Sequence, residues 1–240
     1  MIEAQTAISA WPPAVRAMAL PFERVHVDEA DHQAMLAAAG GRSAGGLSQG
    51  LLDRLDIARE AVGGTAHLRL ENGSFKQSGY LPRCSSLPDI RSALLARNPR
   101  VESLLQVPGP LYLFPWHDIA PGAEFRLFFK EHQAVGISQM GVPAQADLVA
   151  PDPTLASALL GFARELGASL ALPNFAADAF VEVTTAALKV TLIEINPNTL
   201  RTASGLFCRK KDDFDGTLRL AMPVAPNLTG CSQRAGGCQA

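Results

Sequence analysis

None of the four cysteines stands in a C-x-x-C pair, so the chain lacks the ligand spacing of a structural zinc site. Cys84 and Cys208 stand alone, while Cys231 and Cys238 sit in a Gly/Ser/Gln-rich stretch; free thiols in a reducing cytosol are the expectation. A bias of charge is missing too. The net charge is −2 and no long basic run occurs, which argues against a nucleic-acid partner. The one cationic cluster, Arg209-Lys210-Lys211, is answered at once by Asp212 and Asp213 and reads as a solvated loop. No apolar run is long enough to span a bilayer: Thr154 to Leu170, the most apolar helical stretch, is short and contains Arg164 and Glu165. The first residues include Glu3 and show no basic-then-apolar order, so no secretory signal is read there. The expectation is a cytoplasmic protein with neither nucleic acid nor membrane as partner. The glycine-rich stretch Gly40 to Gly50 lacks G-x-G-x-x-G and a P-loop lysine, which leaves a surface loop. No serine elbow or Cys-His arrangement occurs, and His26, His32, His67, His117 and His132 lie scattered without metal-ligand spacing.

What is present is an ordinary globular composition, 48% hydrophobic and 18% charged over 240 residues. That length buries a full core as one large domain or two intimate subdomains. Residues 1–66 read as helical and irregular, with helices over 30–39 and 51–62. Leu87 to Arg97 forms a further helix, opened by Pro88-Asp89 and ended by Asn98-Pro99. Leu155, Leu159, Phe162, Leu166 and Leu170 make one stripe of an amphipathic helix over 154–170. Strands are expected at His67–Leu70, Leu111–Phe114, Phe125–Phe129 and Ala134–Ser138, the last two as a hairpin about Glu131-His132. The segment after about Val224 is expected to be a mobile tail. Strands mixed with helices in this order, mostly antiparallel, argue for an α+β fold.

The run Leu192-Ile193-Glu194-Ile195-Asn196-Pro197 carries the most chemistry. A strand has a side-chain period of two, so Glu194 and Asn196 point the same way, and Pro197 ends the ladder for want of an N–H. Carboxylate and amide oxygens are hard ligands suited to Mg2+. Phe180 to Thr185 reads as the preceding strand, and a hairpin centred near Leu188 places Glu182 opposite Glu194. Like charges facing each other repel; a cation between them relieves this, and so does bulk water. Phosphate chemistry also needs cations, and Arg69 and Lys76 flank the Gly73-Ser74 loop where they could hold phosphate oxygens or simply lie at the surface. Arg126 alternates with Phe125 and Leu127 and needs a partner, for which neighbouring Glu124 is one candidate. Phe114, Pro115 and Trp116 could wall a purine base, or pack in a core.

Several of these runs resemble the ATP-grasp proteins of the cell division cycle protein 123 family. Trp116-His117-Asp118-Ile119, Pro121-Gly122-Ala123-Glu124-Phe125-Arg126-Leu127-Phe128-Phe129-Lys130 and Val135-Gly136-Ile137-Ser138-Gln139 are similar to its W-x-D-I, P-G-x-E-F-R-x-F-V-K and I-G-I-S-Q. Phe180-Val181-Glu182-Val183 and Leu192 to Pro197 are similar to its F-V-x-D-V and L-I-D-F-N-P. Upstream, Arg69-Leu70 through Ser74-Phe75-Lys76 resembles K-L-N-W-S-x-P-K, Cys84 to Ile90 resembles C-x-x-x-x-D-I, and Trp11-Pro12 resembles an early W-Y-P. The resemblance implies two α+β subdomains with ATP and Mg2+ between them, here 1–114 and 115–222, followed by a flexible tail at 223–240. It implies phosphate contacts from Arg69 and Lys76, a base hinge at Phe114, Pro115 and Trp116 with Asp118 beside it, and metal ligation by Glu182, Glu194 and Asn196. Arg126 would approach the terminal phosphate in catalysis. The implied activity is a ligase that activates a carboxylate as acylphosphate for capture by an amine of a small molecule or peptide. The alternative is an ATP-binding assembly chaperone whose protein partner is a translation initiation factor subunit. The chain departs from the family in Arg69 for Lys, in Glu for Asp at both acidic positions, in Met140-Gly141 for Arg-Asp, and in lacking acidic insertions.

Overall fold

A computed structural model describes residues 5–43, 45–77, 80–143, 146–183, 187–199, 202–208, 211, 214–222 and 224. The Thr184 to Ala186 connection, the cluster at 209–210 and 212–213, Cys231, Cys238 and the expected tail lie outside them. Two sheets organise the chain. The first joins β1 (Glu23–Val25), β2 (Ala66–Leu70), β3 (Gly73–Ser74) and β4 (Leu111–Pro115) in the order β1-β4-β2-β3, antiparallel throughout. The second joins β5 (Glu124–Lys130), β6 (Gln133–Gln139), β7 (Phe175–Val183), β8 (Leu188–Pro197) and β9 (Leu218–Arg219) in the order β8-β7-β5-β6-β9. Among the strands so described, only the short β6–β9 pair is parallel, and a single parallel bridge joins Ala19 to Leu192. The α+β expectation, largely antiparallel, is what the chain adopts.

Each sheet has its own apolar core. α2 (Glu29–Ala39), α3 (Gln49–Ala61), α4 (Leu87–Leu95) and α5 (Pro99–Leu104) cover the first sheet, closing Met35, Leu51, Leu55, Ile90 and Leu94 over Leu68, Leu111 and Leu113. The sequence signals that start these helices are visible as caps. Ser48 accepts from Leu51 N, Ser86 from Asp89 N and Asn98 from Val101 N. The helix opened at Leu87 stops before Asn98-Pro99 as expected, and Asn98 also caps a new helix, with Pro99 at its first position.

Over the second sheet lies α6 (Pro153–Ser169), capped by Asp152, with Leu155, Leu159, Phe162 and Leu166 buried as the stripe predicts. Trp11 and Val15, the latter on the short α1 (Pro13–Met18), join this same core. Strand β4 serves both cores, because alternate residues take opposite faces. Leu111 and Leu113 point into the first core, Tyr112 and Phe114 into the second. Between β5 and β6 the two-residue turn Glu131-His132 holds both residues at positive φ, 50° and 66°, which fits the right-handed twist of the strands it joins. Among the described residues no helix is long and apolar enough to cross a membrane.

Candidate functional site

Residues 176, 178, 180 and 182 of β7 lie on the face away from α6, and 124 and 126 of β5 share that face by the register Glu124↔Phe180 and Arg126↔Asp178. On β8, Leu192 and Ile195 both enter the core although they are three apart. Strict alternation forbids this. The ladder steps from Ala179↔Leu192 to Asp178↔Glu194, so Ile193 is an extra, bulged residue. Such bulges re-aim side chains, and this one turns both Ile193 and Glu194 toward the space between the sheets.

That space is a cavity of about 220 Å³. Arg69, Ser74 and Lys76 line it from the first sheet, and Glu124, Asp178 and Glu194 from the second. Leu20, Trp116, His117, Ile119 and Phe180 form its apolar end. The polar end is tightly bonded. Arg126 forks onto Asp178 with Nε–Oδ1 and Nη2–Oδ2 both 2.6 Å, and its Nη1 donates to Ala203 O at 3.1 Å. Arg69 Nη2 donates to Glu194 Oε2 at 2.7 Å, from β2 to β8 across the two sheets. Asn196 Nδ2 donates to Glu194 Oε1 at 3.0 Å and to Asp178 Oδ2 at 3.3 Å. Burial pushes the Asp178 carboxyl up to about 7, against the pull of Arg126 and with a further push from Glu194. Burial pushes Glu194 up as well, but Arg69 and the hydrogen bonds from Asn196, Asp178 and Arg69 outweigh it and hold that carboxyl well below the usual range. Two donors in this end have no partner among the described residues: Arg69 Nε and Ser74 Oγ, on residues 4% and 2% exposed. Arg69 and Ser74 are paired across β2 and β3, so both gaps face the same place.

The expected Glu182–Glu194 pairing is corrected by this register. Glu182 sits opposite Lys189, and Asp178 sits opposite Glu194, because the hairpin reverses before Leu188 and Ile193 adds a residue. Glu182 is four positions along β7 from Asp178, about 13 Å at strand rise. There it lies 3.4 Å from His117 Nε2 and 3.9 Å from Lys189 Nζ. Asp178 was missed because its strand was read as starting at Phe180. One signal does exist: Phe175-Ala176-Ala177-Asp178-Ala179 keeps the Phe and Asp of F-V-x-D-V at the right spacing, with Ala at both Val positions, and an aspartate inside an apolar stretch is costly without partners. Glu124 was likewise offered only as a partner for Arg126, whose fork goes instead to Asp178.

Of the expected base-binding residues, Trp116 lines the cavity and its indole donates to the exposed Asp118 at 2.8 Å. Pro115 ends β4 opposite Ala66 and is not part of the lining. Phe114 belongs to the core, 2% exposed, with His67 stacked at 5.5 Å, Phe22 at 4.9 Å and the Arg69 guanidinium 5.8 Å from its centroid. So enclosed, it does not reach the cavity lining. The candidate metal set is two carboxylates and an amide; among the described residues no three His, Cys, Asp or Glu side chains stand in a metal-holding arrangement. Burial pushes the Cys84 thiol up to about 11, which removes it from nucleophilic chemistry. A larger cavity, about 580 Å³, lies beyond Pro197, but its one charged lining residue, Glu71, already accepts from Ser9 N and Tyr112 Oη.

The D123 family model matches residues 93–211. Among solved structures, Cdc123 from Schizosaccharomyces pombe is similar at 16% identity, covering 93% of this chain and 94% of that one, with a TM-score of 0.67. Its C-terminally truncated form gives 15%, the same coverages and 0.66. A RimK domain ATP-grasp protein from Sphaerobacter thermophilus gives 12% identity, 82% and 61% coverage and 0.48. No curated protein sequence matches the chain. In fold over nearly its whole length, and in sequence over 93–211, the chain resembles the cell division cycle protein 123 family.

Proposed function

We propose that the chain binds Mg-ATP in the cavity between its sheets and acts as a ligase that activates a carboxylate as an acylphosphate. The observation that carries this reading is the pair of buried, unpartnered donors Arg69 Nε and Ser74 Oγ, which face the same cavity as Asp178 and Glu194. Buried donors left unmade are costly, and an anion is what would satisfy them. Arg69, Ser74 and Lys76 hold phosphate oxygens from the first sheet, while Asp178, Glu194 and Asn196 hold Mg2+ from the second. The metal supplies charge neutralisation on the triphosphate. Asp178 takes the role that the resemblance gave to Glu182. Arg126, already beside Asp178, turns its second nitrogen edge to the phosphoryl group in transfer.

In the chemistry this serves, a carboxylate oxygen attacks the γ-phosphorus and ADP leaves. An amine nitrogen then attacks the acyl carbon, phosphate leaves, and an amide remains. The acceptor is an amine of a small molecule or peptide. A second reading, an ATP-binding assembly chaperone for a protein partner, is favoured by the likeness to Cdc123 over nearly the whole of both chains. Isothermal titration with a non-hydrolysable ATP analogue and Mg2+ tests the site. Glu194→Gln combined with Asn196→Ala abolishes the metal-dependent part of binding while the melting transition stays cooperative. Unchanged affinity in that variant sinks the assignment. ADP release that requires both a carboxylate and an amine separates ligase from chaperone.

A further inference from the structure

The run Gly136-Ile137-Ser138-Gln139 has found no use in the nucleotide site so far. Ser138 on β6 pairs directly opposite Arg126 on β5, so both project from the sheet face that bears Asp178. It is wholly enclosed, 0% exposed, where a hydroxyl is costly unless it is hydrogen-bonded. Its proton goes to Gln139 O at 3.0 Å, and its oxygen accepts the backbone N–H of Leu206 at 2.8 Å. Leu206 belongs to residues 202–207, which lie over this face. The approach is close: Gly205 has φ 60°, and a Cβ on it would collide with Ser138 Oγ and Cβ. Phe207 rests on Gly136, where an added Cβ would stand 2.7 Å from its ring, and meets Phe128 edge-on with centroids 6.0 Å apart. Arg219 donates to Leu206 O at 3.2 Å and lays its guanidinium 4.1 Å from the Phe207 centroid. Three residues before Leu206, Ala203 O accepts from Arg126 Nη1 at 3.1 Å. The fork onto Asp178 fixes the plane of the Arg126 guanidinium relative to that carboxylate. The bond to Ala203 ties the pair to a second segment, and that segment is pinned by Ser138.

We propose that Ser138 is a positioning residue: by holding 202–207 against the sheet it sets the third tether of Arg126 and so aims the remaining N–H groups of that guanidinium at the terminal phosphate. This rests on the nucleotide reading of the cavity, and the test separates the two. Affinities for a non-hydrolysable ATP analogue and for ADP, each with Mg2+, are measured by calorimetry on the full chain and on four variants. Arg126→Met removes the aimed group. Ser138→Ala and Gly205→Ala loosen the segment from its two sides. Leu159→Ala, in the core under α6 on the other side of the sheet, controls for lost stability alone. The unaltered chain prefers the triphosphate, and Arg126→Met removes roughly 10- to 100-fold of that preference, the scale of a charge-assisted hydrogen bond. Ser138→Ala removes roughly 5- to 10-fold, because the Asp178 fork survives while one neutral tether is lost. Gly205→Ala removes at least as much. Leu159→Ala melts at lower temperature and leaves the ratio of the two affinities where it was. If Ser138→Ala and Gly205→Ala weaken both nucleotides equally or leave both unchanged, or if Arg126→Met keeps the preference, the proposal is overturned and the nucleotide site stands. If the unaltered chain binds neither nucleotide, both fall.

Discussion

His67 shows how one side chain registers the cost of building a cationic cavity in a core. Its ring stacks on Phe114, is buried, and stands next to Arg69 in sequence; burial first, then the Arg69 charge, lower its pKa from 6.5 to about 4. The imidazole is thus neutral in the fold at neutral pH. Between pH 6.5 and 4 the unfolded chain takes up a proton that the folded chain refuses, so stability present above 6.5 is lost as pH falls through that window. The loss due to this residue is on the order of 2 kcal/mol at pH 5. His67→Phe keeps the stack and removes the titration. Urea melts at pH 7.5 and pH 5 should then differ less for the variant than for the unaltered chain by about that amount, and an equal difference in both would dismiss the burial argument. The partners that matter at this scale were partly legible. Glu194 and Asn196 stand out by residue type and spacing, while Arg69 and Lys76 are as easily read as surface cations until the cavity is seen, and Phe114 looks like a ligand wall until β4 is seen to feed both cores.

At the level of elements, register decides which acid faces which. A hairpin's pairing follows from where it turns, and Thr184 to Ala186 give no Asn-Gly signal that would fix it. The bulge at Ile193 shifts the pairing by one further residue, and no composition rule reports a bulge in advance. Glu194 and Asn196 were legible because both lie on one strand beyond the bulge. Asp178 shows itself in sequence only as an aspartate in an apolar run; that it stands opposite Glu194 depends on the other strand, the turn and the bulge together. Asn98-Pro99 carries a second role for a related reason: the dipeptide that follows one helix starts another, and the buried Val101 after it is what shows the second. The register makes a sharp prediction. Asp178→Asn, which resembles the protonated acid and keeps its shape, lowers Mg-dependent nucleotide affinity by about 100-fold or more, since even the outer partners of metal ligands are worth roughly 10- to 100-fold. Glu182→Gln changes it only a few-fold. Calorimetric titration of both variants distinguishes them, and the reverse ranking would restore Glu182 to the site.

On the scale of the whole molecule, the two sheets are joined by a buried ion pair, Arg69 on β2 with Glu194 on β8 at 2.7 Å, their side chains 5% and 14% exposed. Replacing one member strands the other in a poor dielectric. Arg69→Met alone should cost about 3 kcal/mol in denaturant melts, and adding Glu194→Leu should recover most of it, because the pair as a whole is close to neutral for stability. Additive losses in that double-mutant cycle would show that the pair does not couple the sheets. The fold class was legible in the sequence, since it follows from periodicity and residue type. What it left open was contact at a distance, and nothing illustrates this better than Trp11, fully enclosed by strands that come far later in the chain. A ribosome delivers roughly 5–20 residues per second, so this indole must wait on the order of 10–35 s before Leu192 arrives to shelter it. During synthesis the nascent chain therefore trails an unshielded aromatic anchor. Slowing translation in the second half of the message should raise aggregation of this protein, and Trp11 marks where a chaperone would first have to grip.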